Sequence, residues 1–180
     1  MHAGSLRRMD LEQAVRTRRT HKAYRQEPVD RRTLDDLFEL ARFAPNHHLT
    51  NPWRFRVIGP ATLARLKELA EAQKPGSGRK LDRAPTLVVV SARQTGDAAQ
   101  DREDLLAGAV AAYIVLLVAH GRGLAGYWRT LSLLDEPAGR DAVGLDGDEA
   151  AIGLLHLGRA VHDQEPPARA AVAEIATYLD

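Results

Sequence analysis

Leu105-Leu106-Ala107-Gly108-Ala109-Val110-Ala111-Ala112-Tyr113-Ile114-Val115-Leu116-Leu117-Val118-Ala119 is apolar or small on every side. A helix of this composition lacks a polar face, so it must be buried all round, by its own domain or by a partner subunit. The run falls short of the roughly 20 predominantly apolar residues that a membrane span needs, and it is rich in Ala and Gly. It therefore reads as a central core helix, with a small-residue face open to a dimer contact. His120-Gly121 supplies its C-terminal stop.

The flanking segments supply a sheet for this helix to pack on. Thr86 to Val90 is a continuous β-branched and aliphatic run, as expected of a strand covered on both faces. Phe55, Val57 and Ile58 predict a short strand closed by Gly59-Pro60, and two more strands are predicted at Leu124–Trp128 and Ala151–Leu157. Helices are expected after Asp10, an N-cap with Gln13 in capping-box position, and after Val29-Asp30, where Leu34, Leu37, Phe38 and Ala41 keep helical spacing. Leu63, Leu66, Leu69 and Ala70 mark a third amphipathic helix and Pro137 to Val143 a short one. Lys74 to Lys80 reads as a mobile surface loop. Val172 to Leu179 fits either a helix or a terminal strand.

The 180 residues, 44% hydrophobic and 27% charged, suit one domain over 1–180 with residues 1–9 disordered. The chain has no cysteine, which removes disulfides, thiolate nucleophiles and zinc-thiolate sites. A net charge of +1 gives no general attraction to nucleic acid or to an anionic membrane, and neither is expected as a partner. The N-terminus lacks the apolar stretch of a secretory signal, so a cytoplasmic location is expected.

Four groups could carry chemistry. Arg18-Arg19-Thr20-His21-Lys22 concentrates positive charge beside a hydroxyl. Guanidinium groups bind phosphate oxygens in bidentate fashion, although such runs are more often solvated helix ends that offset the helix dipole. Ala44-Pro45-Asn46-His47-His48-Leu49-Thr50-Asn51-Pro52-Trp53 is a polar loop, either a plain turn or a backbone-rich surface facing a planar ligand. Its adjacent histidines point apart and make a poor metal pair, so no metal is expected. Gly126-Tyr127-Trp128-Arg129-Thr130 ends an apolar run with a charge and a hydroxyl. Gly153-Leu154-Leu155-His156-Leu157-Gly158 carries a lone histidine, expected to be a hydrogen-bonded core residue. Ser-His-Asp elbow, P-loop and dinucleotide fingerprint are all absent from the sequence.

Taken in order, these four motifs around the apolar helix resemble the flavin-dependent nitroreductase family, in its short, minimal NAD(P)H branch. The resemblance implies an α+β fold, with a central, mainly antiparallel sheet flanked by helices. It also implies an intertwined homodimer in which the tail, residues 166–180, crosses to the partner as an exchanged strand, which favours strand for Val172 to Leu179. FMN is implied at the subunit interface. Arg18, Arg19 and Thr20 inherit its phosphate and ribityl chain, with Lys22 reaching the flavin. Pro45, Asn46 and His47 would cover the partner's isoalloxazine, and Trp128, Arg129 and Thr130 would add a second contact, Arg129 on the phosphate.

The implied activity is an oxidoreductase that takes electrons from NAD(P)H and passes them, two at a time, to nitroaromatic, quinone or similar small acceptors. The flavin N5 does the chemistry and no side chain serves as nucleophile; His47 is a candidate proton donor. Dehydrogenation or reductive dehalogenation on the same fold, or flavin binding without turnover, are the alternatives. Three departures bear on specificity: Asn51 stands where Gln is usual before Pro-Trp, Thr20 replaces Ser, and Leu49 removes a polar contact.

Overall fold

A computed structural model describes residues 9–179. The expected disorder over 1–9 thus concerns a segment that, but for Met9, lies outside the described residues. Its elements in order are α1 (Leu11–Thr17), α2 (Arg31–Ala41), β1 (Trp53–Val57), α3 (Pro60–Gln73), β2 (Thr86–Arg93), α4 (Ala98–Gly121), β3 (Ala125–Arg129), α5 (Pro137–Val143), β4 (Glu149–Gly158) and α6 (Val172–Ile175). The four strands form one antiparallel sheet in the order β1-β2-β4-β3.

Alternation along the two central strands builds a core on each face. Val88, Val90, Leu155 and Leu157 pack against α4 and α2, with Ala111, Ala112, Val115, Leu34 and Leu37. Leu87, Val89 and Leu154 meet Leu66 and Ala70 of α3, Leu81, and Val143 of α5. Caps fix where the helices begin: Asp10 accepts from the Gln13 N–H, Asp30 from Thr33 and Asp97 from Ala99 and Gln100.

The register slips between Val90 and Ser91, opposite Gly153 and Ala151, which leaves Ile152 as the extra residue of a β-bulge. Its side chain points at α4, where a Cβ on Gly108 would lie 2.3 Å from Ile152 Cδ1. The bulge is therefore matched by a glycine in the helix above it.

Three expectations are corrected. The central helix is 24 residues long, long and apolar enough on those grounds to cross a membrane, yet it packs across the sheet as the core helix. It is not buried all round, because Leu106 stays 59% and Val110 40% exposed. The surface loop expected over Lys74 to Lys80 is confined to its first few residues, since Gly78–Arg83 forms a 3-10 turn anchored by the fully buried Leu81. The C-terminal segment forms one helical turn, Val172–Ile175, rather than a strand, and Tyr178 and Leu179 are exposed. A strand needs a neighbour to take its ladder hydrogen bonds, and none is beside this segment among the described residues.

A buried ion pair ties β1 to β4. Arg56 donates to both oxygens of Glu149, at 2.8 and 2.6 Å, and the Ser91 hydroxyl donates to the same carboxylate. Burial alone would raise the Glu149 pKa, but the hydrogen bonds from Arg56 and Ser91 and the charge of Arg56 outweigh it and hold the carboxyl below its ordinary value. A depressed folded pKa contributes stability that is complete above the unfolded value and is lost as pH falls through the folded one. Urea unfolding followed from neutral pH into the acid range should show this loss, on the order of 1–3 kcal/mol for charged hydrogen bonds, and Glu149→Gln should flatten the profile. Parallel profiles for the two proteins would remove Glu149 as the cause.

Candidate functional site

The basic segment is stapled to the open edge of the sheet. Thr20 bridges Gly126 in parallel, the His21 N–H donates to the Gly126 carbonyl at 3.2 Å, and the Arg25 N–H donates to the Arg159 carbonyl at 2.8 Å. The segment therefore meets β3 at Gly126, with Arg18 and Arg19 just before that contact in the chain and Lys22 just after it. Arg18 follows the last turn of α1, and its guanidinium lies 5.8 Å from the Tyr113 ring centroid on α4. Arg19 holds a buried Nη1 with no hydrogen-bond partner among the described residues.

A buried guanidinium nitrogen without an acceptor is costly, and protein interiors rarely leave one so. Thr20 and Lys22 are exposed beside it. An anionic, oxygen-rich group fits this donor set. His21 is buried, and burial, then the charges of Arg19 and Arg18, lower its pKa against an opposing pull from Asp163. This favours its neutral form and leaves the positive charge to the arginines. Thr17 bonds His120 Nε2 at 2.8 Å, which closes the floor between α1 and α4.

The loop from Pro45 to Asn51 is fixed by its own side chains. Asn46 Oδ1 accepts from the Asn51 N–H at 2.9 Å, Asn51 Nδ2 donates to the Leu49 carbonyl at 2.6 Å, and the Thr50 hydroxyl donates to the buried Asp104 at 2.6 Å. His48, Leu49 and Asn51 all take positive φ, 54°, 51° and 47°. Outside glycine this conformation is uncommon, and three in one loop mark a shape imposed by tertiary contacts. The left-handed turn at His48 also stacks the His47 and His48 rings, centroids 3.8 Å apart, where sequence spacing had them diverge. Among the described residues no cluster of three potential metal ligands occurs.

The third motif separates across the sheet. Trp128 faces α4, packs against its core and donates from Nε1 to the carbonyl of the bulged Ile152 at 3.2 Å. Tyr127 and His156 are register partners on the other face, with Leu87 and Leu154, and strand alternation puts Arg129 there too. Arg129 and Arg18, assigned by resemblance to one phosphate, thus leave the sheet from opposite faces within a single chain. Thr130 is exposed at the strand end.

His156 departs from its expected role. It is fully buried, and neither ring nitrogen has a hydrogen-bond partner among the described residues. Burial first, then the charges of Arg129 and Arg83, push its pKa down to about 4, so it stays neutral. Arg129 also keeps a buried, unpartnered Nη1.

The structure adds residues that the motifs did not contain. Glu103, on the second turn of α4, meets His47 Nδ1 at 2.5 Å, and Tyr113 lies under Arg18. Glu103 and Asp104 are the last charges before the apolar run, a signal visible in the sequence but indistinguishable there from ordinary helix solvation.

The Nitroreductase family profile matches residues 15–159. YfhC of Bacillus subtilis, provisionally named an NAD(P)H nitroreductase, is 27% identical over 162 residues, 82% of this chain and 83% of that protein. Among solved structures, a nitroreductase-like family protein from Bacillus cereus superposes with a TM-score of 0.85 at 23% identity, covering 96% of this chain and 97% of the other. The FMN and NADPH-dependent nitroreductase NfnB from a Sphigopyxis strain superposes with a TM-score of 0.77 at 17% identity, over 96% and 100% of the two chains. At such identities the superpositions establish the fold alone, and the profile match carries the kinship: the chain belongs to the nitroreductase family.

Proposed function

We propose that this chain is an FMN-dependent oxidoreductase that draws electrons from NAD(P)H and delivers them, two at a time, to nitroaromatic, quinone or similar electron-poor acceptors. The observation that carries the reading is the buried, unpartnered Arg19 Nη1 within a basic segment pinned to β3, a donor set that suits a phosphate. Arg18 and Arg19 would hold that phosphate, Thr20 the ribityl chain, and Lys22 would extend toward the ring system. When bound, FMN supplies an N5 that accepts and returns a hydride. Trp128 and Thr130 would line the flavin from β3. Arg129, on the other face of the sheet, is left to set the charge around His156 rather than to share the phosphate.

The loop reaches this site only in a dimer. Its anchor at Glu103 lies ten residues from Tyr113, beneath Arg18, a separation of roughly 15 Å along α4 at about 1.5 Å per residue. Between them runs the uncovered stripe of Leu106, Val110 and Tyr113. A two-fold axis across α4 near Val110 would bury this stripe against its copy. The same operation would carry Pro45, Asn46 and His47 of one protomer toward the Arg18 end of its partner. The exposed tail, with Tyr178 and Leu179, would then have a partner surface to cross.

Purified protein should show flavin absorbance that bleaches anaerobically with NADPH or NADH and returns on adding menadione or nitrofurazone, and it should sediment at twice the mass of the chain. A colourless protein that takes up no FMN would overturn the reading. A flavin reduced too slowly for turnover by either nucleotide would leave a binding protein instead.

A further inference from the structure

We infer that Glu103 is a positioning residue that holds His47 as the proton donor to the acceptor. The inference rests on the flavin-reductase reading above and names the group that completes its second half-reaction. Glu103 Oε2 and His47 Nδ1 are 2.5 Å apart, so the carboxylate accepts a hydrogen bond from Nδ1–H and leaves Nε2 as the group available to a ligand. The histidine is exposed, and one contact to its ring and two to its loop fix its place. Its ring stacks on His48, its loop is closed by the Asn46–Asn51 hydrogen bond, and the next helix residue, Asp104, receives the Thr50 hydroxyl.

Beside this pair opens a hollow of about 360 Å³ bounded by Pro45, His47, Glu103, Leu106 and Val110. Its walls are mostly apolar, as suits a flat aromatic or quinone acceptor. One imidazole with an oriented nitrogen is the proton source on that wall. Leu106 and Val110 also begin the uncovered stripe of α4, so in the proposed dimer the partner would close that side of the hollow and leave Pro45, His47 and Glu103 to face an acceptor stacked on the partner's flavin.

The chemistry balances with reagents the proposed function already supplies. A quinone that takes up a hydride from the reduced flavin gains two electrons and one proton at one carbonyl oxygen. Negative charge then develops on the opposite oxygen. The His47 imidazolium passes its Nε2 proton to that oxygen, giving the hydroquinone and a neutral imidazole that still carries Nδ1–H toward Glu103. Solvent returns the proton. Oriented general acids of this kind contribute about 100-fold or more in rate, and loss of the orienting carboxylate removes part of that.

Stopped-flow reoxidation of the reduced holoenzyme separates this role from a structural one. Menadione needs a proton at the acceptor, whereas ferricyanide accepts electrons without one. In Glu103→Gln, reoxidation by menadione should slow by roughly tenfold more than reoxidation by ferricyanide. His47→Gln should show the same selective loss, and the double variant no greater one. A second readout needs no turnover: long-range nitrogen–proton NMR should find His47 protonated at Nδ1 in the native protein and in mixed tautomers in Glu103→Gln. Equal slowing with both acceptors, undiminished menadione rates, or a tautomer indifferent to Glu103 would each overturn the assignment. Failure of the underlying reading would appear differently, as absence of bound flavin in the native protein.

Discussion

Arg19→Ala is expected to purify with little or no flavin and to bind added FMN at least about 30-fold more weakly than the native chain. The figure follows from truncating one partner of a desolvated charge pair, which costs roughly 2–5 kcal/mol, and about 1.4 kcal/mol is tenfold in affinity. Arg19 is chosen over Arg18 on geometric grounds. Arg18 lies over the Tyr113 ring, a contact made within the chain itself. Arg19 has a buried Nη1 whose acceptor is missing from the described residues, so its pairing depends on what binds. The same reasoning predicts an opposite effect on the cofactor-free protein. A buried donor without a partner costs about 1–3 kcal/mol, so removing Arg19 should leave the thermal stability of the apo protein unchanged or slightly raised. Arg19→Lys should fall between, because an ammonium keeps the charge but not the bidentate geometry. Flavin-to-protein absorbance ratios and fluorescence titration with FMN measure the first effect, and calorimetry of apo protein the second. Native flavin occupancy in Arg19→Ala would end the phosphate assignment.

The apolar helix, the four strands and the N-cap at Asp10 were legible because each is written in local periodicity or in a single capping side chain. The burial of α4 was only half legible. An all-apolar composition states that every face must be covered, but not which face a single chain leaves open, and that face carries Leu106, Val110 and Tyr113. The site residues were readable as types and not as partners. The stacking of His48 on His47 goes with φ 54° at His48 in a loop tied to Asp104 through Thr50, so it could not follow from adjacency. Arg129 leaves β3 away from α4 because Trp128 takes the α4 side, and strand phase depends on the register against β4. His156 looked like a satisfied core residue since its neighbours in sequence are leucines. Its actual neighbours, Arg129, Arg83 and Tyr127, come from two other elements. The C-terminal turn is the remaining case: a strand there would be a property of two chains, and one chain gives the segment no ladder to join.

The bulge at Ile152 couples this strand phase to stability, and Gly153 is its weakest tolerance. Gly153 takes φ 148°, a region L side chains rarely adopt. A Cβ there would sit 2.6 Å from Trp128 Nε1 and 2.8 Å from the Arg129 carbonyl oxygen. Gly153→Val must therefore either straighten the bulge or push β3 away. Straightening it shifts Ile152 out of the space above Gly108 and breaks the bond from Trp128 to the Ile152 carbonyl. Strained backbone costs on the order of 1–3 kcal/mol and overpacking about 1–3 kcal/mol more. Together, at roughly 2–4 °C per kcal/mol for a chain of this size, the melting temperature should fall by about 5–20 °C. Gly121→Ala, at the end of α4 with nothing within 4 Å of its Cβ and no positive φ, is the matched control, and its change should stay within about 0.5 kcal/mol. Displacing β3 also moves the edge along which Thr20 is pinned, so the FMN affinity of Gly153→Val should fall with its stability. A melting temperature for Gly153→Val equal to that of the control would mean that the bulge is not what sets the phase of β3. The separation of Trp128 from Arg129 would then need another cause.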